Sequence, residues 1–224
     1  MIIESGEIAS VKEGIINSTN YLREVMAERK ANPGDDLLSF AIKAEIDGRK
    51  LNDDETLGYA FNFFLGGLDT VTAHIGNIVR HLATNLDDQR YLRENPEKIK
   101  DAVEEFMRAY AAVTTYRTCK KETVLNGVTI KPGDKVALVT TLAGRDRDQF
   151  DDPHSVKLDR KPRHMSFATG PHTCLGLHLA RRELRIALEE VFKVIPEFHI
   201  KPGTTIKSQA GVIIQPRSLE LVWG

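Results

Sequence analysis

A stretch of about thirty residues beginning at Asn52 carries apolar side chains every third or fourth residue, the spacing of one helix face. Asn52 can cap this helix, and Glu55 can reach back to it as in a capping box. A helix of that length would span roughly 45 Å, enough to cross a whole domain. The periodic pattern continues to Leu82, so the sequence predicts a fold arranged around one long helix.

Shorter periodic segments lie on both sides of this stretch. They predict helices over about 7–30, 37–44, 96–110 and 175–194. After Val113 the pattern changes to strands, with a hairpin of 123–125 and 128–130 around Asn126-Gly127. Further strands are predicted at 135–139, 211–214 and 219–223. The expected fold is mainly α with minor β, in one continuous unit.

The composition is that of an ordinary globular protein, with 41% hydrophobic residues and a net charge of −1. This balance gives no reason to expect binding to nucleic acid or to a membrane surface, and no apolar window is long enough to span a bilayer. The two cysteines, Cys119 and Cys174, are too few for a disulfide framework. A reducing cytoplasm is therefore the expected location, with Cys119 an ordinary thiol.

The segment from Phe167 to Gly176 holds the strongest chemical signal. Gly170 and Gly176 allow a tight backbone around Cys174, at the point where a loop meets the start of a helix. Exposed N–H groups and the helix dipole stabilise a thiolate there, and such a thiolate can ligate haem iron. The ordinary alternative is a buried cysteine. A zinc site that includes His172 lacks both the usual ligand spacing and a fourth ligand.

Two further motifs lie on the predicted helices. Gly66-Gly67 costs helix stability, which suggests a flat or bulky group against the backbone, and Asp69-Thr70 adds an acid and an alcohol beside it. A helix crossing with a solvated Asp69 is the alternative. Glu105 and Arg108 share a helix face at i and i+3, and on spacing alone a surface ion pair is the simpler interpretation.

Single arginines carry less information. Arg117 would by itself be a surface residue. Arg181-Arg182 is expected to form a solvated helix face or, as the alternative, part of a basic patch that meets an acidic redox partner.

The pattern Phe-x-x-Gly-x-His-x-Cys-x-Gly, followed by Leu-Ala-Arg-Arg-Glu, resembles the cysteine loop of soluble bacterial cytochromes P450. The Gly66 to Thr70 motif and the closing residues 219–223 look closest to the camphor-hydroxylase branch. The resemblance implies haem b, with Cys174 as the axial iron ligand. It also implies a set of residues around the haem, namely Phe167 beside the sulfur, His172 and Arg117 on the propionates, and Gly66, Gly170 and Gly176.

The resemblance assigns roles to other residues as well. Asp69 and Thr70 would deliver protons, a form of general-acid catalysis. Four residues would face the substrate, namely Asn62, Leu65, Val113 and Ile213. Three would form a buried structural network, namely Glu105, Arg108 and Arg160. Arg145-Asp146 fits a family Asn-Arg-Asp stretch in which Gly144 replaces the Asn.

The function implied is a haem-thiolate monooxygenase that acts on a small apolar substrate, with electrons from an NAD(P)H-fed ferredoxin chain. Residues 1–224 would be the C-terminal haem-binding part of the family fold, without its N-terminal half. A complementary half or self-association would then cover apolar surface. The alternative is a truncated haem-binding protein without monooxygenase activity, with weak peroxidase activity or acting only as an interaction partner.

Overall fold

The computed structural model describes residues 5–224, with side chains from residue 9 onward. The chain divides into two compact units, one ending at Leu68 and one spanning Asp69–Gly224. The sequence is interpreted as one continuous unit, because the apolar period runs through this boundary without a linker.

The first unit is helical. Its helices are α1 (Ser5–Ala31), α2 (Leu37–Lys43) and α3 (Asp53–Leu68), and a short hairpin joins β1 (Glu45–Ile46) to β2 (Arg49–Lys50). The α-helices meet around a small apolar cluster formed by Leu22, Met26 and Ala60, with Leu38, Leu57 and Phe61 packed against it.

The capping box at the start of α3 is present as predicted. The Asn52 Oδ1 atom accepts the Glu55 N–H at 2.9 Å, and a Glu55 carboxylate oxygen accepts the Asn52 N–H at 2.9 Å. Two of the free backbone donors at the helix start are thereby satisfied.

The long helix predicted from Asn52 to Leu82 is wrong in one respect. Helix α3 ends at Leu68, Asp69 forms a bend, and a separate helix α4 covers Thr70–Thr84. Gly66 and Gly67 weaken the helix just before the bend, and Asp favours caps and turns over helix interiors. The spacing of apolar residues carries no information on helix propensity, so the apolar pattern continues through the bend and predicts one helix.

The second unit has four substantial helices besides the one-turn α7 (Thr140–Ala143). They are α4, α5 (Leu86–Glu94), α6 (Ile99–Ala109) and α8 (Leu177–Val194). Helix α8 packs on both α6 and α4. The main core lies between these helices and is formed by Ile78, Leu82, Ala83, Leu92, Ile99, Ala102, Val103, Phe106, Met107, Leu184, Leu188 and Phe198.

Small antiparallel sheets complete the second unit, which confirms the mainly α class with minor β. The predicted Asn126-Gly127 hairpin is present, with φ values of 48° and 79° at these two residues. The predicted strand at 211–214 is wrong, because it is reduced to a single bridge between Val113 and Ile213. The paired strands are β3 (Thr114–Thr118) with β6 (Lys135–Val139), β4 (Thr123–Leu125) with β5 (Val128–Ile130), β7 (Phe198–Ile200) with β10 (Leu221–Trp223), and β8 (Ser208–Gln209) with β9 (Gln215–Pro216).

Among the described helices, none combines the length and the apolar character that crossing a bilayer requires.

Candidate functional site

The Cys174 thiol lies in an exposed loop directly before α8. Cys174 is a free cysteine, and every residue of the segment 168–176 is exposed. The Cys174 N–H donates to the Phe167 carbonyl at 2.9 Å, and the Leu177 N–H donates to the Cys174 carbonyl at 3.4 Å. The backbone of the loop is therefore fixed while the sulfur stays accessible. The alternative of a buried cysteine does not hold.

The turn before the cysteine depends on a left-handed residue. Gly170 has a φ of 66°, a conformation that side chains disfavour. Its carbonyl accepts both the Thr173 N–H at 3.0 Å and the Thr173 hydroxyl at 2.9 Å. The side chain of His172 is exposed within this turn.

The other end of the loop is anchored to the core. Phe167 packs against the main apolar cluster, and the Arg181 guanidinium lies 4.8 Å from the centre of its ring. The Ser166 hydroxyl donates to the Met107 carbonyl of α6 at 2.6 Å. Helices α6 and α8 thus hold the segment that leads into Cys174.

Glu104 of α6 links Arg181 to His164 beside the cysteine loop. The sequence analysis did not identify this residue. One carboxylate oxygen accepts the Arg181 Nε–H at 2.7 Å. The other lies 2.9 Å from Arg181 Nη2 and 3.2 Å from His164 Nε2. Burial raises the pKa of Glu104, but hydrogen bonds from His164 and Arg181 outweigh it and lower the pKa to about 2. Arg181 is consequently not the solvated residue expected from the sequence.

Glu105 and Arg108 form a buried ion pair rather than a surface one. Both side chains have 0% exposure, and two Arg108 nitrogens donate to the Glu105 carboxylate at 2.7 and 2.8 Å. Arg160 Nε donates to the same carboxylate at 3.0 Å. The structure therefore brings together the three residues expected to form a network.

Arg108 also organises the chain that leads to the cysteine loop. It donates to the carbonyls of Gly144 at 2.5 Å, Pro153 at 2.8 Å and Ser155 at 2.9 Å. A Cβ at position 144 would collide with the Arg108 carbonyl, so this backbone accepts only glycine.

The remaining predicted site residues of the second unit are either exposed to solvent or half-buried. Asp69 is exposed, and Thr70 begins α4. Arg117 lies on β3 with an exposed side chain, whose Nη1 donates to the Tyr116 carbonyl at 2.9 Å. Val113 and Ile213 are brought together by an isolated antiparallel bridge.

Three predicted residues lie in the first unit, in the second half of α3. The Asn62 side chain donates to the Gly58 carbonyl at 2.8 Å, and Leu65 is half exposed. At Gly66 an added Cβ would meet no heavy atom within 4 Å among the described residues. The backbone at Gly66 is thus open to close approach by another group.

The family model for cytochrome P450 matches residues 11–221. The chain therefore belongs to the cytochrome P450 family of haem-thiolate monooxygenases. This result confirms the resemblance inferred from the cysteine loop.

Individual relatives agree with the family match. The chain is 38% identical over 204 residues to the probable cytochrome P450 127A1 of Sinorhizobium fredii, which covers 91% of this chain and 49% of that protein. It is 40% identical over 177 residues to the erythromycin C-12 hydroxylase of Saccharopolyspora erythraea, which covers 77% of this chain and 45% of that protein. The chain spans about half the length of the curated relatives it matches.

Solved structures share the fold. The crystal structure of cytochrome P450 CYP101C1 superposes with a TM-score of 0.87 at 37% identity, covering 92% of this chain and 54% of that one. The crystal structure of CYP101J2 gives a TM-score of 0.86 at 35% identity, covering 92% of this chain and 52% of that one.

Members of this family bind haem through a cysteine thiolate. The residues present here fit such a group, because Cys174 is free, exposed and followed at once by a helix start. A soft sulfur donor on a glycine-containing loop suits haem iron. Among the described residues, no three His, Cys, Asp or Glu side chains group as a metal-ion site would require.

Proposed function

We propose that Cys174 is the axial ligand of haem b, and that this chain carries the oxygen-activating part of a monooxygenase. The observation that supports this most strongly is the free thiol in a rigid, exposed cysteine loop, anchored to α6 and α8. Bound haem would supply the binding and activation of dioxygen. The protein supplies ligation, orientation and proton handling.

Arg117 and His172 are suited to hold the haem propionates. Both side chains are exposed, on β3 and on the cysteine loop respectively. A guanidinium can donate two parallel hydrogen bonds to a carboxylate, and the imidazole of His172 can donate one.

Asp69 and Thr70 are proposed to deliver protons. Oxygen insertion places one oxygen atom in the substrate and reduces the other to water, using two electrons and two protons. The exposed Asp69 carboxylate can exchange protons with solvent, and the Thr70 hydroxyl can pass a proton or orient a water molecule. Removing the hydroxyl should therefore divert electrons to hydrogen peroxide.

The substrate is proposed to be a small apolar molecule, with Val113 and Ile213 on its side of the site. Asn62, Leu65 and Gly66 retain the roles that the resemblance assigns them. Electrons would come from NAD(P)H through a ferredoxin in the cytoplasm.

Several large apolar side chains in the second unit are exposed, among them Leu142, Leu175, Leu179 and Val212. Apolar surface of this kind is usually covered. We therefore propose that a complementary N-terminal half, or self-association, covers part of it.

Turnover with isotopically labelled dioxygen tests the proposal. The haem-loaded protein would receive electrons from NAD(P)H, a ferredoxin reductase and a ferredoxin, with cyclohexane and toluene as probes. We expect labelled alcohol from wild type and from Thr70→Ser, which keeps the hydroxyl. Thr70→Ala should form less product and more peroxide.

The opposite result is also informative. Haem-loaded wild type that is reduced but forms no labelled product, with the same peroxide yield as Thr70→Ala, would contradict the proposal. It would leave a haem-binding protein with at most peroxidase activity.

A further inference from the structure

Helix α4 carries two buried polar side chains on the turn after Thr70. His74 and Asn77 are only 5% and 4% exposed, in a helix whose inward face is otherwise largely apolar. A buried polar group is costly unless it is hydrogen-bonded. The partners of these two side chains therefore indicate what they hold in place.

His74 connects the first turn of α4 to the chain that precedes β3. Its Nδ1 lies 2.7 Å from the Thr70 carbonyl oxygen, and the Ala112 N–H points to its Nε2 at 3.4 Å. Because an N–H must be accepted at Nε2, the proton of the neutral ring is on Nδ1, from which it donates to Thr70. Burial lowers the pKa of His74, which favours this neutral form.

Asn77 makes the matching contact to the segment that follows Ile213. Its side-chain amide donates to the Ile214 carbonyl at 2.9 Å. At the neighbouring position, an added Cβ on Gly76 would lie 3.2 Å from Pro216 Cγ, so helix and strand are already in close contact. Helix α4 is therefore held to residues 214–216 by a hydrogen bond and by packing.

The two partner segments are the ones joined by the Val113–Ile213 bridge. The Ile214 N–H donates to the Ala112 carbonyl at 2.8 Å, and the Thr114 N–H donates to the Val212 carbonyl at 2.8 Å. His74 thus holds one residue next to Val113, and Asn77 holds one residue next to Ile213. The same helix begins at Thr70, directly after Asp69.

We propose that His74 and Asn77 are positioning residues that fix the proton-delivery pair of α4 relative to the substrate-facing pair Val113 and Ile213. This inference rests on the proposed function. If α4 moves away from the bridge, the Thr70 hydroxyl no longer lies at a constant place relative to the iron ligand and substrate, and electrons are lost to peroxide.

Three variants separate positioning from simple stability. His74→Gln places an amide oxygen near the Nε2 position and can still accept the Ala112 N–H. His74→Leu keeps apolar volume but leaves that N–H buried without its acceptor. His81→Leu is the matched control, because His81 is equally buried on the same helix but bonds Tyr110 and Asp88 instead.

The first readout needs no haem. Amide hydrogen exchange at Ala112 should accelerate roughly fivefold in His74→Leu, beyond any global change in stability. His74→Gln should restore most of the protection, and His81→Leu should leave this amide unchanged. Unchanged exchange at Ala112 in His74→Leu would overturn the proposal.

The second readout uses carbon monoxide as the probe on the reduced, haem-loaded protein. We expect the infrared C–O stretching band to shift or broaden in His74→Leu, and to return towards wild type in His74→Gln. A band that is the same in wild type and His74→Leu would mean that His74 only stabilises the fold, and would overturn the positioning role.

The two proposals can fail separately. Wild-type protein that takes up no haem would overturn the proposed function and the role inferred for His74 and Asn77. Haem-loaded wild type with a normal thiolate spectrum, together with an unresponsive carbon monoxide band in His74→Leu, would overturn only the positioning role.

Discussion

A buried charge holds the chain that leads to the cysteine loop, and its centre, Arg108, is the largest fully buried side chain among the described residues. Each of its three guanidinium nitrogens donates to an acceptor, either the Glu105 carboxylate or backbone carbonyls before the loop. A buried charge with every donor satisfied is tolerated, but the loss of one partner is expensive. This pair therefore makes the local fold intolerant of substitution.

Arg108→Lys should lower the free energy of unfolding by about 3 kcal/mol or more, because one ammonium group cannot replace the planar fork. Urea denaturation followed by circular dichroism measures the change. Arg90→Lys, at an exposed pair with Glu197, should cost less than about 1 kcal/mol. Equal losses in the two variants would contradict the role given to Arg108.

Glu104 should make stability depend on acid. Its folded pKa of about 2 lies below the ordinary value of 4.5, so its bonds stabilise the fold above pH 4.5 and are lost as the pH falls towards 2. The contribution at neutral pH is about 1–2 kcal/mol after screening by solvent.

Stability measured across this pH range tests the assignment. Glu104→Gln should flatten the acid-dependent part of the curve, whereas Glu97→Gln, at an exposed carboxylate, should leave it as in wild type. A Glu104→Gln curve parallel to that of wild type would refute the assignment.

For single residues, the sequence predicted contacts between neighbours along the chain and contacts that a family motif implies. The i, i+3 spacing joined Glu105 to Arg108, and the resemblance added Arg160. Glu104 and His74 were missed because their partners lie far along the chain, His164 being 60 positions after Glu104 and Ala112 being 38 positions after His74. No local spacing encodes such contacts.

Among the helices and strands too, those with a local sequence signal were predicted and those that depend on distant contacts were not. The hairpin at Asn126-Gly127 was predicted because its turn requires residues that accept positive φ. The capping box at Asn52 is equally local. Helix α5 and the two-residue strands were not predicted, because they are short and depend on tertiary packing. The bend at Asp69 was missed because apolar spacing ignores helix propensity.

Gly66 in helix α3 is expected to lower the stability of the helix and to favour haem binding. Gly66→Ala should stabilise the haem-free chain by about 0.5–1 kcal/mol, because alanine favours the helix. It should also weaken haem affinity, because the added methyl group would occupy open space at the position proposed to lie against the haem. Thermal unfolding and haem titration measure the two effects.

Gly58→Ala is the matched control on the same helix, since an added Cβ there also meets no heavy atom of the described residues within 4 Å. It should stabilise α3 without changing haem affinity. If both variants bind haem as wild type does, Gly66 has no part in the site.

At the scale of the whole molecule, the chain spans about half the length of its curated relatives. Its second unit has a substantial core, yet Leu142, Leu175 and Leu179 are each at least 60% exposed. Exposed apolar side chains of this size favour association. The haem-free chain should therefore self-associate with rising concentration in sedimentation velocity, and bound haem should reduce the effect. A monomer at all concentrations would show that this surface needs no cover.

The carbon monoxide difference spectrum of the reduced, haem-loaded chain tests Cys174 most directly. We expect a Soret band at the thiolate-ligated position in wild type and in Cys119→Ala, which removes only the other cysteine. Cys174→Ala should lose that band. A band typical of imidazole or neutral thiol ligation in wild type, or a thiolate band that survives in Cys174→Ala, would contradict the assignment of Cys174 as the iron ligand.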